Sequence, residues 1–179
     1  MKLLTHISTA LLMSAIILLF TPTSCHTIIN IAMYGAVIYI SQFGIDTFGH
    51  TWVSYHGKRF PKRNKLHSLI GIIGWGFVFG IPFLLSCPLF TFAVVIGMII
   101  HYFEDFLTEG GVYFGKRRIR TPLWIDYDNK IANKVTILSF LIPVLFLFSS
   151  NLSTLFKEPI VFIYYISIIF FSVIAFFGV

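Results

Sequence analysis

Long apolar runs separated by brief polar breaks dominate the chain, at residues 3 to 20, 27 to 45, 66 to 85, 88 to 107, 134 to 149 and 159 to 178. Each approaches the roughly 20 residues that a helix needs to cross a bilayer core. The pattern predicts an all-α, polytopic membrane protein of about six transmembrane helices, with residues 1 to 179 forming a single integral-membrane domain. The fifth run is short and holds Pro143, which makes it the weakest span. Within the third run, Gly71, Gly74, Gly76 and Gly80 read as packing positions, the last two spaced for close helix approach.

The polar segments set the expected topology. Short breaks at 21 to 26, 86 to 88 and 150 to 158 alternate with long loops at about 46 to 65 and 108 to 133. The first long loop carries Lys58, Arg59, Lys62, Arg63 and Lys65; the second carries Lys116, Arg117, Arg118, Arg120 and Lys130. Six spans place both loops and both termini on one side, and basic loops beside membrane helices face the cytoplasm. The expected location is therefore the cell membrane, multi-pass, with cytoplasmic termini. Cys25 and Cys87 then share the outer side, where a disulfide is chemically allowed, and the sequon Asn151-Leu152-Ser153 falls there too.

Composition agrees: 57% of residues are hydrophobic and 11% charged, and mean hydropathy is +0.88, too apolar for a water-facing surface. The net charge of +6 sits in the two loops, which suits anionic membrane lipids better than nucleic acid. No Cys-x-x-Cys pair is present. Residues 1 to 25 share Lys2, an apolar core and small residues near Ser24 with a signal peptide, but Pro22 spoils a lipoprotein-type ending. Cleavage would discard His6, so retention is expected.

The candidate chemistry lies where apolar runs meet the basic side. His101 and Asp105 stand four apart at the end of the fourth run, one helical turn from each other on one face. Asp46 and His50 repeat that spacing after the second run, His6 opens the first and His67 the third. On the expected topology all these residues share one membrane depth, with His26 alone among the histidines on the opposite side and His56 in the inner loop. Imidazole and carboxylate donors suit a borderline divalent ion such as Zn, Mn or Fe, and the lack of cysteine donors argues against a closed structural zinc site. Glu104 is a candidate base, and Lys62, Arg63, Arg117, Arg118 and Arg120 are candidate phosphate or headgroup contacts. Asp126 and Asp128 read as solvated loop residues rather than ligands.

Arg63-Asn-Lys-Leu-His67-Ser68-Leu69 resembles the His-Arg-x-x-Thr-His-Ser-Leu signature of the YdjM-like family, membrane-bound predicted metal-dependent hydrolases also described as LexA-binding inner-membrane proteins. His101-x-x-x-Asp105-x-x-Thr108-x-x-Gly111 is similar to that family's second signature, His6 to its N-terminal histidine and Asp46 to its first-loop aspartate. A small archaeal branch of membrane proteins of this size is similar as well. Lys62 departs from the pattern where the family has a histidine, and Leu66 where it has threonine; a missing ligand would fall to His50 or His56.

The resemblance implies a metal-dependent hydrolase, and lends a metal site more firmly than a substrate; in the reading of the residues themselves the ion activates water and a nearby carboxylate, Glu104 or Asp105, takes the proton. A site at headgroup depth points to a lipid-linked or amphipathic phosphoester as substrate. A divalent-metal transporter is the alternative from another class, disfavoured because spans one, three and six carry almost no ionisable interior residues. A non-catalytic adaptor acting through the basic loops is the third reading. Nothing in the sequence addresses oligomeric state.

Overall fold

The computed structural model describes the chain except residues 56, 57, 109, 115, 116, 120, 122 and 124 and the side chains of residues 52 to 62. His56, Lys116, Arg120 and the side chain of Lys62 thus lie outside the described residues.

The fold is all-α, 75% helical. Its helices are α1 (Leu3–Leu18), α2 (Ile28–Phe48), α3 (Leu69–Gly80), α4 (Pro88–Phe106), α5 (Lys130–Ser150), α6 (Leu152–Leu155) and α7 (Pro159–Gly178). Four of them, α2, α4, α5 and α7, are long and apolar enough to cross a membrane, while α1 and the segment Leu69–Phe83 are apolar but shorter. The expected six spans therefore become four of full length and two shorter helices.

Local chemistry accounts for the lengths. Ser68 starts α3 by accepting the Gly71 backbone N–H at 3.1 Å, and the helix gives way to a 3-10 turn at Ile81–Phe83, where Pro82 supplies no N–H. Helix α1 has 16 residues, about 24 Å at 1.5 Å per residue. It packs against α2, α4, α5 and α7, with every residue from Thr5 to Leu12 buried. A helix enclosed by its neighbours has no lipid thickness to match. The fifth run, expected to be the weakest, is an unbroken 21-residue helix that contains Pro143. It starts earlier than its apolar run because Asn129 caps it, accepting the Ala132 N–H at 3.0 Å.

The glycines of α3 divide by role. A Cβ on Gly76 would stand 3.0 Å from Val95 Cα and one on Gly80 would stand 2.7 Å from Thr91 Cγ2, so both hold α3 against α4. Gly71 meets the backbone of Leu66, and Gly74 meets nothing within 4 Å.

At one end of the bundle, a disulfide between Cys25 and Cys87, with Cα atoms 5.8 Å apart, ties the α1–α2 turn to the α3–α4 turn. His26 pairs with Glu158 at that same end. At the other end the two long loops contain short antiparallel hairpins. The first joins β1 (His50–Tyr55) to β2 (Lys58–Arg63), pairing His50 with Arg63; the second joins β3 (Val112–Phe114) to β4 (Arg117–Ile119). Ser68 bridges to Tyr113, which brings the second hairpin against the start of α3.

Candidate metal centre

Four separate elements deliver donor atoms to the end of the bundle away from the disulfide. His6 lies near the start of α1, Asp46 in the last turn of α2, His67 in a 3-10 turn (Lys65–His67), and His101 and Asp105 in the last turns of α4. The first hairpin closes this arrangement by returning the chain to the point where it left α2. Its base is fixed by the Asn64 N–H donating to the Gly49 carbonyl at 2.8 Å, and Asn64 caps the turn that carries His67. Gly49 must be small here, since a Cβ would sit 2.2 Å from His67 Cε1.

The donor atoms face one another. Nε2 of His67 and Nε2 of His101 lie 3.4 and 3.5 Å from Asp105 Oδ2, and Nε2 of His6 lies 3.3 Å from Asp105 Oδ1. Asp46 Oδ1 is 3.6 Å from His101 Nε2 and 4.0 Å from His67 Nε2. Bonds of ~2.1 Å in a tetrahedral array put neighbouring donors about 3.4 Å apart. Two overlapping groups have donor spacing suited to an ion: His6, His101 and Asp105, and Asp46, His67 and His101. Asp46, with 19% of its side chain exposed, is the donor on the open side, whereas His67 and His101 are fully buried.

Each histidine is anchored through its other nitrogen. His6 Nδ1 meets Glu104 Oε2 at 2.5 Å, His67 Nδ1 meets the Gly49 carbonyl at 3.0 Å, and His101 Nδ1 meets Gln42 Oε1 at 2.9 Å. Every anchor is an acceptor, so each Nδ1 carries a proton; a ring that is neutral then presents its Nε2 lone pair, and His6, whose Nε2 faces Asp105 Oδ1 at 3.3 Å, does so only in its neutral form. Those Nε2 atoms and Asp105 Oδ2 are buried and have no hydrogen-bond partner among the described residues. A buried polar atom without a partner costs about 1–3 kcal/mol, and here several such atoms share one space. Burial also pushes the His67 imidazole down to about 3, which keeps it neutral.

Two cationic groups meet Asp105: the Arg63 guanidinium at 2.6 Å and the Met1 ammonium, whose nitrogen lies 3.9 Å from Oδ1, while Glu104 and Asp46 face histidines. Arg63 turns inward: its Nη2 donates to Asp105 Oδ1 at 2.6 Å and its Nη1 to Thr108 Oγ1 at 3.1 Å and to the Gly111 carbonyl at 2.6 Å. Gly111 adopts φ 57°, a left-handed turn open to glycine that aims its carbonyl at Arg63. Gly110 lies against the same guanidinium, leaving no room for a Cβ.

Other expected site residues take different places. Glu104 is buried rather than solvated: its Oε2 meets His6 Nδ1, and its Oε1 has no hydrogen-bond partner among the described residues. Arg63 clamps Asp105 and so leaves the expected headgroup set. His50 does not pair with the Asp46 carboxylate, because α2 stops at Phe48 and His50 begins β1; its Nδ1 meets the Asp46 backbone carbonyl at 2.6 Å and its ring lies against His67. Arg117 and Arg118 are exposed on the second hairpin, with Arg118 also donating to the Gly110 carbonyl. Asp128 pairs with Lys2 at 2.9 Å and Asp126 accepts the Asp128 N–H, and neither belongs to the donor groups.

Gln42 and Gly49 are the residues the sequence reading lacks. Gln42 had a signal: it is a polar residue inside an apolar run, four positions before Asp46 and so on the same helix face. Gly49 had none, since its constraint is the distant His67 ring. No protein family's sequence model matches the chain, and no curated protein or solved structure matches it.

Proposed function

We propose that this protein is a membrane-embedded hydrolase that works with a divalent metal ion held among His6, Asp46, His67, His101 and Asp105, through one of the two donor groups that share His101. The observation that carries the reading is the set of buried, partnerless Nε2 atoms of His6, His67 and His101, each held by an acceptor on its Nδ1, around the equally partnerless Asp105 Oδ2. An ion held there with a position left open would supply Lewis-acid chemistry, lowering the pKa of bound water and polarising a phosphoryl or carbonyl oxygen.

The chain's own groups do the rest. Glu104, Gln42 and the Gly49 carbonyl orient the imidazoles, and Arg63 fixes the Asp105 carboxylate. Asp46 borders the open side; where the ion takes His6, His101 and Asp105, it is the carboxylate left to take a proton from an incoming water. The site lies at the ends of apolar helices, and the exposed Arg118 donates to the carbonyl of Gly110, which packs on Arg63; this favours a substrate with an anionic group at headgroup depth, a lipid-linked or amphipathic phosphoester. Membership of the YdjM-like family belongs to this proposal, resting on the matched residues His6, Asp46, His67, His101, Asp105, Thr108 and Gly111.

The proposed orientation is multi-pass in the cell membrane, with the metal centre and both termini cytoplasmic. Its support is the Cys25–Cys87 disulfide at the opposite end, a bond that persists in oxidising compartments, together with the basic loops at the metal end. Hydrolysis of short-chain phosphomonoester, phosphodiester and carboxyl-ester lipids by purified protein loaded with Zn, Mn or Fe tests the activity. Turnover of one class that chelation abolishes is expected; metal-loaded protein inert toward all of them would contradict it.

A further inference from the structure

We infer that the centre takes a single divalent ion, and that Arg63 occupies the position a second ion would need. The inference rests on the metal reading above and adds the nuclearity of the site. Both donor groups require His101. The imidazole of His101 has its Nδ1 committed to Gln42 Oε1 at 2.9 Å, so only the Nε2 lone pair remains, and one lone pair serves one ion. If the ion takes His6, His101 and Asp105, a second would be left with Asp46 and His67; if it takes Asp46, His67 and His101, a second would be left with His6 and one oxygen of Asp105. Two protein donors fall short of the three that catalytic sites supply.

Asp105 closes the remaining route. A carboxylate joins two metals by giving one oxygen to each. Here Oδ2 faces His67 and His101 Nε2 at 3.4 and 3.5 Å, while Oδ1 accepts from Arg63 Nη2 at 2.6 Å, with His6 Nε2 at 3.3 Å and the Met1 ammonium at 3.9 Å from the same oxygen. A cation on Oδ1 would displace the guanidinium or sit against it. The guanidinium is tied in place by Thr108 Oγ1 and the carbonyls of Asp105 and Gly111, and Gly110 packs against it. Arg63 is therefore a positioning residue: it holds Asp105 so that a single oxygen turns to the ion, and it supplies the second positive charge that a two-metal centre draws from its second ion.

The test loads purified full-length protein in detergent with Mn²⁺, removes free ion, and measures Mn per chain by elemental analysis alongside the electron paramagnetic resonance spectrum. One equivalent, with the hyperfine pattern of an isolated ion, is expected. Two equivalents with an exchange-coupled spectrum would overturn this inference and leave the metal reading standing; no tight Mn, Zn or Fe at all would overturn both. A second arm compares Arg63→Ala with Arg63→Lys. Arg63→Ala is expected to weaken Mn²⁺ binding roughly 10–100-fold, the usual effect of losing a partner behind a ligand, with part of the loss restored in Arg63→Lys. Unchanged affinity in Arg63→Ala would overturn the role given to the guanidinium.

Discussion

Glu104 Oε2 lies 2.5 Å from Nδ1 of His6, across 98 positions of sequence, with both side chains buried. The pair locks α1 to α4 and aims His6 Nε2 into the donor cluster. Glu104→Ala should lower metal affinity about 10–100-fold, the range seen when a ligand loses its outer partner. Glu104→Gln keeps an oxygen that accepts the Nδ1–H and should lie between the two. Competition titration with a chromophoric chelator gives the order; equal affinities in wild type and Glu104→Ala would contradict the anchoring role.

Gly49→Ala should damage the centre without touching a ligand. The added Cβ would meet His67 Cε1 at 2.2 Å and the Ile45 carbonyl at 2.3 Å, in the turn that closes the first hairpin. Overpacking of this kind costs about 1–3 kcal/mol. Thermal unfolding should drop and bound metal should fall with it. A variant with wild-type metal content would show that His67 has room to move.

The glycines of α3 give a contrast within one helix. Gly76→Ala pushes a Cβ to 3.0 Å from Val95 Cα and should destabilise the α3–α4 contact, whereas Gly74→Ala meets nothing within 4 Å. The open position should tolerate alanine and gain up to about 1 kcal/mol from its higher helix propensity. Melting temperatures in one detergent distinguish the two; the reverse order would contradict the packing described.

Stability of the metal-free protein should fall in acid through His67. Its folded pKa of about 3 lies below the ordinary 6.5, so the unfolded chain binds the proton more readily between those values. The contribution of the neutral, buried imidazole is full above pH 6.5 and is lost as pH falls toward about 3. Chemical unfolding of His67→Gln, measured without metal at pH 7 and pH 5, should show a smaller drop than wild type.

Much of this architecture is readable from the apolar runs alone, because a helix in lipid has no competing signal. The end of α4, the start of α7 and the break at Cys87-Pro88 coincide with changes between apolar and polar residues or with proline. Two kinds of feature were not readable. The first hairpin was hidden because β2, Lys58-Arg-Phe-Pro-Lys-Arg63, carries charge and a proline that mark a loop, and its pairing depends on β1 lying opposite. The inward turn of Arg63 was hidden for a related reason: membrane charge rules treat a basic residue as facing water, while the Asp105 that attracts it is 42 positions away.

The cluster itself was visible as residue types at one depth, His6, Asp46, His67, His101 and Asp105. What depth could not give was direction. Glu104 neighbours Asp105 in sequence, yet a helical step of about 100° sends the two carboxylates to different partners, one behind His6 and one among the Nε2 atoms. His50 failed for lack of helix, since spacing by four has meaning only while the helix continues past Gly49.

The central claim is that His101 and Asp105 hold a divalent ion, and metal content tests it most directly. Wild type, His101→Ala, Asp105→Ala and His26→Ala, the last a histidine at the disulfide end, are purified side by side and analysed for Zn, Mn and Fe. The account predicts bound metal in wild type and His26→Ala and its loss from His101→Ala and Asp105→Ala. Equal metal content in all four proteins would contradict it.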